Sequence, residues 1–189
     1  MSILTLPSCP TTCAGVVAIM DFNECAPEVH YGEIAKIYLW ELGVHPWATE
    51  AAFGTPAGWT GVVSNSTTPI GTKVRELIVI GEMTEPEQTE TPISGDRIMT
   101  GFKKFVVPFE IDETNETNYN WLLTSECGGK YSAAFETADG LLYGGMHGLE
   151  VTIKANQVIP KERSGIVKII AKMQWSSKNH PLRQISPVA

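Results

Sequence analysis

A chain of 189 residues with 43% apolar and 19% charged side chains is long enough to build one domain around its own core, and its composition fits neither a disordered chain nor a membrane protein. Its formal charge of −7, from 14 Lys and Arg against 21 Asp and Glu, argues against a general polyanion binder whose affinity comes from neutralising phosphates. No run of about 18 apolar residues is present, so no spanning helix is expected.

The N-terminal stretch Met1-Ser2-Ile3-Leu4-Thr5-Leu6-Pro7 has neither the basic n-region nor the long apolar h-region of a secretory signal, so synthesis in a reducing cytosol is expected. Cys9, Cys13 and Cys25, with His30 five residues on, contain one pair at zinc-knuckle spacing. The second half of such a site is poor, because Pro27 separates Cys25 from His30 and no Cys-x2-Cys recurs. Free buried thiols are the preferred reading, and no metal or cofactor is expected.

Beyond the cysteines the dominant period is two. Gly15 to Phe22, Ile34 to Trp40 and Val74 to Ile80 read as strands. Phe105, Val107, Phe109 and Ile111 place one apolar face on a fourth, where Pro108 points to an edge or a bulge. Asp112 to Asn118 offers capping residues and first-turn acids, followed by Tyr119, Leu122 and Leu123 at helical spacing and a Gly128-Gly129 stop. One helix of about ten residues is expected there.

Tyr131 to Thr137 then meets Asp139-Gly140, which predicts a two-residue hairpin returning through Leu141-Leu142-Tyr143. Leu149, Val151, Ile153 and Ala155 alternate with polar residues, as do Val167, Ile169, Ala171, Met173 and Trp175. His180-Pro181 reads as a tail turn. The fold class is therefore mainly β: an antiparallel sandwich or small barrel of about seven or eight strands with one flanking helix, in a single domain.

Two stretches are read as long loops, at 41–72 and 82–100. The first holds five Gly and three Pro with Trp47, Phe53 and Trp59; the second holds Glu82, Glu85, Glu87, Glu90, Pro86 and Pro92. Structureless loops beyond about 12–15 residues are uncommon in a compact domain unless they bind something or order on assembly. Loop aromatics either anchor an interface or fold back on their own core, and both readings stay open.

Charge is unevenly placed. Residues 1–60 carry −5, 82–116 carry −6, and 154–189 carry +6. This is either a solvated dipole or a pair of complementary surfaces for neighbouring subunits, for which Lys168 and Lys172 are candidate contacts alongside Trp47, Phe53 and Trp59.

Catalytic signatures are weak. Gly128-Gly129 and Gly144-Gly145 lead into no phosphate cradle, a Cys127/His147 dyad has no framing pocket pattern, and His30, His45, His147 and His180 are scattered. No enzyme activity is expected.

From Gly95 to Arg183 the order of elements is more specific. Gly101-Phe102-Lys103-Lys104-Phe105 leads into Phe109-Glu110-Ile111-Asp112-Glu113-Thr114, then Tyr119-Asn120-Trp121, Gly129-Lys130-Tyr131, the hairpin Asp139 to Gly145, a last strand ending at Trp175, and His180-Pro181-Leu182-Arg183. This run, roughly half the chain, resembles the tail tube proteins of tailed bacteriophages and related injection machines. The resemblance implies six-fold rings that stack into a tube, an acidic lumen through which DNA passes, and contacts with other virion proteins. It would make 41–72 an inter-ring loop. Another virion component, such as a capsid decoration, neck or tail-completion protein, is the alternative, as is a monomeric β-sandwich module that binds carbohydrate or peptide through Trp47 and Trp59.

Overall fold

The computed structural model describes residues 32–64, 74–94, 97–126, 128, 130–162 and 164–188. The strand expected at Gly15 to Phe22, the four cysteines and His30 lie outside these residues. The described residues belong to one compact unit, Tyr31–Ala189, from which Met1–His30 is separate.

Among the described residues this unit holds nine antiparallel strands: β1 Ile34–Glu41, β2 Arg75–Gly81, β3 Glu87–Ile93, β4 Arg97–Ile111, β5 Lys130–Thr137, β6 Leu141–Tyr143, β7 Leu149–Val158, β8 Lys168–Ser177 and β9 Arg183–Ile185. Six of them, in the order β1-β2-β4-β8-β7-β5, close into a barrel through the pairing of β1 with β5. Closure follows from the period-two pattern. Ile37, Leu39, Phe105, Val107, Phe109, Val151, Ile153, Ile169, Ala171 and Met173 all point inward and form one buried cluster.

β1 and β5 are buried on both faces, which is why Ile34 to Trp40 reads as a near-continuous apolar run. Their outer residues Tyr38, Trp40 and Ala134 form a second cluster with Leu142, Val74 and the aromatics of 41–72. Residues 41–64 are thus an outer layer of the domain and not a free loop, while the rest of the expected 41–72 loop lies outside the described residues. The layer contains two short helices, α1 Glu50–Phe53 and α2 Pro56–Thr60, the first capped by Thr49 Oγ1, which accepts from the Ala52 N–H at 3.1 Å.

Four expectations change in detail. Residues 82–100 are not a loop: they hold β3 and the start of β4, a strand of 15 residues. The hairpin at Asp139-Gly140 has a three-residue connection, because Phe135 faces Tyr143 and Glu136 faces Leu142. Its Thr137 carbonyl accepts from the Gly140 N–H at 2.9 Å, with Gly140 alone needing the left-handed φ of 82° that this turn type places there.

Pro108 sits mid-strand in β4, half-buried on the outer face of the barrel wall opposite Lys172 of β8. Its carbonyl accepts from Glu82 N–H at 3.2 Å, so its ring nitrogen faces the same side, just past the last β2 rung at Gly81. The helix, α3 Glu116–Ser125, is capped by Asn115 as expected. Of its supposed apolar stripe, however, only Leu122 is buried, while Tyr119 and Leu123 face outward.

One buried polar pair joins β1 to β5 on their outer faces, beside the second cluster. The Tyr38 hydroxyl donates to Glu136 Oε2 at 2.8 Å, with the Glu136 residue only 4% exposed. Burial pushes the phenol well above its usual range, and the hydrogen bond to Glu136 adds to it. Tyr38→Phe should cost about 1–3 kcal/mol at neutral pH, because Glu136 loses a donor it cannot replace with bulk water.

An unfolded Tyr ionises near pH 10 and the folded Tyr38 does not, so this site's stability is fully present below about pH 10 and declines above it. The gap between parent and variant should therefore narrow in alkali. Urea unfolding at neutral and alkaline pH checks both halves; equal stabilities at neutral pH would refute the cost.

Candidate functional site

Three of the five residues singled out as intersubunit contacts are in the chain's own core. Trp47, Phe53 and Trp59 are 2%, 0% and 1% exposed. Trp59 lies at the centre, with ring centroids 4.8 Å from Tyr38, 4.6 Å from Trp47 and 5.4 Å from Phe53, and its indole N–H donates to the Phe53 carbonyl at 2.6 Å. These rings staple residues 47–60 onto the outer face of β1 and β5. Buried as they are, Trp47 and Trp59 also present no aromatic face to a carbohydrate or peptide.

The two lysines differ. Lys168 Nζ is held by its own chain, 2.8 Å from Glu110 Oε2 and 3.7 Å from Asp112 Oδ1. Its hydrogen bond to Glu110 keeps the ammonium above its usual range. Lys172 is exposed on the outer face of β8, directly opposite exposed Lys154 on β7. Like charges facing each other across a sheet destabilise it. Among the described residues neither lysine has an ion-pair partner.

Acidic charge is concentrated elsewhere, on a feature that reading by composition had missed. β4 pairs with β8 only from Lys103 onward, whereas its first half, Arg97 to Phe102, pairs with β3 alone. Among the described residues β3 has no other partner. The result is a two-stranded ribbon running about 20 Å past the last β8 rung, with exposed residues from Glu87 to Pro92.

Glu82, Glu85, Glu87 and Glu90 lie on or beside its outer strand. An isolated ribbon with no buried face is marginal in water, and its unpaired edge is a template for another chain. A signal for it was present: Thr89 and Thr91 alternate with Glu, and Glu87 faces Lys104 across the ladder. Pro92 and the density of charge hid it.

Two further surfaces are unsatisfied. Among the described residues β9 pairs only with β6, and its other edge carries Ile185, 82% exposed. β2 pairs with β4 only at Ile80 and Gly81, so the barrel wall parts beyond them. There a groove of about 740 Å³, lined by Arg75, Ile78, Ile80, Asp112, Asn115 and Trp121, separates β2 from the start of α3.

No catalytic constellation assembles among the described residues. No three His, Cys, Asp or Glu side chains meet in a group that fits a metal, and Cys127 of the weighed Cys127/His147 pair lies outside those residues. What the geometry offers is edges, charge and apolar patches, the chemistry of association. No helix among the described residues is long and apolar enough to cross a membrane. Comparison of the sequence with family models and with curated proteins gives no match.

Proposed function

We propose that this chain is a self-assembling structural subunit of the tail-tube type that its sequence resembles, with copies joining into rings that stack into a DNA-conducting tube of a virion. The observation that carries the reading is the β3–β4 ribbon, whose outer strand is exposed from Glu87 to Pro92, has no partner on its outer edge among the described residues, and carries or adjoins a row of glutamates, so that another molecule would give it a buried face.

The opposed Lys154 and Lys172 supply a complementary surface on another copy, where an acidic strand relieves their mutual repulsion. The exposed edge of β9 and the mixed polar and apolar groove beside β2 are further places for neighbouring copies to pair. An acidic wall contacts DNA without holding it, because like charge prevents the counterion release that drives tight binding. The aromatic core built by Trp47, Phe53 and Trp59 removes 41–64 as a free inter-ring segment, and the ribbon takes that role in this reading.

Light scattering with electron microscopy at rising protein concentration tests this: rings or tubes are expected, weakening as salt screens the acid–base contact. A chain that stays monomeric under every salt condition refutes it. Lys172→Glu separates assembly from folding. Opposite Lys154 the new carboxylate should stabilise the isolated chain by about 0.2–1 kcal/mol, yet it should weaken assembly. Assembly equal to that of the parent would remove the basic strand from the interface.

A further inference from the structure

His45 and His147 are 102 positions apart, yet the fold brings their Nδ1 atoms to 3.4 Å and their ring centroids to 5.1 Å. Because the nitrogens are much closer than the ring centres, the Nδ1 edges face each other and the rings diverge behind them. As a hydrogen bond this contact is poor, since N–H donors usually approach acceptors to about 2.7–3.2 Å.

As two corners of a coordination sphere it fits. With metal–nitrogen bonds of about 2.05 Å and a tetrahedral angle, two imidazole nitrogens fall about 3.4 Å apart and their ring centres about 5.2 Å apart. Both distances agree with those in the structure.

Both histidines are exposed and therefore open to an ion, yet each sits on a constrained turn. His45 follows a turn closed by the Val44 N–H donating to the Glu41 carbonyl at 3.1 Å, and it precedes Pro46, which holds it extended; Trp47 then anchors the segment in the core. His147 lies in a turn closed by the Gly148 N–H donating to the Gly145 carbonyl at 3.0 Å.

Gly148, at φ 71°, is pressed so closely on Trp40 that a Cβ there would come within 2.4 Å of the indole. Trp40 and Trp47 themselves meet edge to face at 5.4 Å. Each histidine is thus tied through its neighbour to one tryptophan of a packed pair, so the two nitrogens are placed before any ion arrives.

We propose that His45 and His147 chelate one divalent transition-metal ion of the zinc, nickel or copper class through their Nδ1 atoms, with water completing the coordination. Imidazole nitrogen suits these metals and discriminates against calcium and magnesium, which take oxygen ligands. The inference does not depend on the assembly reading.

The full chain titrated with cobalt(II) chloride should bind an ion whose visible bands arise without a thiolate charge-transfer band, and zinc chloride should displace it. His45→Ala and His147→Ala should each weaken binding at least about tenfold, since one exposed imidazole lacks the gain of a second preplaced ligand. His180→Ala should leave it unchanged.

Because a variant could perturb its turn, the unaltered chain supplies a second readout: zinc should move the imidazole NMR signals of two of its four histidines. Binding unchanged in both variants, binding seen only through thiolate charge transfer, or a zinc titration that moves no histidine signal overturns the proposal.

Discussion

Trp59→Ala should lower the stability of the isolated chain by about 3–5 kcal/mol, the usual cost of deleting a large buried aromatic side chain. In a chain of this length that corresponds to a fall in Tm of about 6–20 °C. The size of the effect follows from position. Trp59 touches Tyr38, Trp47 and Phe53, and its N–H satisfies the Phe53 carbonyl within a layer that a water molecule does not enter.

Removing the ring leaves a cavity between the 47–60 segment and the outer face of β1, and the segment loses its central staple. Trp59→Phe keeps most of the packing and should cost less, while still orphaning the carbonyl. Thermal unfolding followed by circular dichroism at low protein concentration makes the measurement. Were Trp59 an interface anchor, the same substitution would lower association and leave unfolding of the monomer unchanged; that outcome would refute its place in the core.

Excising the ribbon should have the opposite signature. Glu82 N–H and Thr84 N–H donate to the carbonyls of Pro108 and Val106 at 3.2 Å each, so Glu85 lies level with Phe105 and a short turn can join them. Replacing residues 86–104 by Asn-Gly, the preferred two-residue hairpin turn, removes the acidic strand and keeps Phe105 to Ile111 against β8.

None of the described core residues falls in the excised part, so Tm should change by only a few degrees, on the order of a 1–2 kcal/mol perturbation. Ring or tube formation should be lost altogether, since the edge strand that would meet another copy is gone, and Glu87 and Glu90 with it. Undiminished assembly by this shortened chain, seen by electron microscopy, would refute the ribbon's role.

Much of the barrel was legible because a strand buried on one face writes its orientation into the chain. Val151, Ile153 and Ala155 on β7 alternate with polar neighbours, as do Ala171, Met173 and Trp175 on β8 except for the half-buried Ile170 that follows Ile169, and all seven inward residues are buried in the barrel cluster. The helix start at Asn115 was legible for a similar reason, since capping is a local transaction between a side chain and the next turn.

The candidate site was much less so. The ribbon has no buried face, so it carries no apolar alternation to read, and its Glu and Pro content imitates a loop. The aromatics of 41–72 were visible, but no local pattern says which surface they fold against. The approach of His45 to His147 leaves no trace in spacing, because their separation of 102 positions has no periodic meaning.

By itself, then, the sequence determined a predominantly antiparallel β domain with a flanking helix, an acidic body and a basic last segment. These properties are written residue by residue, in alternation, capping and charge. Only the tertiary structure decided that the sheet closes through β1 and β5, that Trp47, Phe53 and Trp59 form a second core, and that the acidic stretch is a ribbon clear of the barrel. Each of those outcomes depends on pairing between distant segments, whose energy comes from surfaces brought together by the whole fold and from no property of either segment alone.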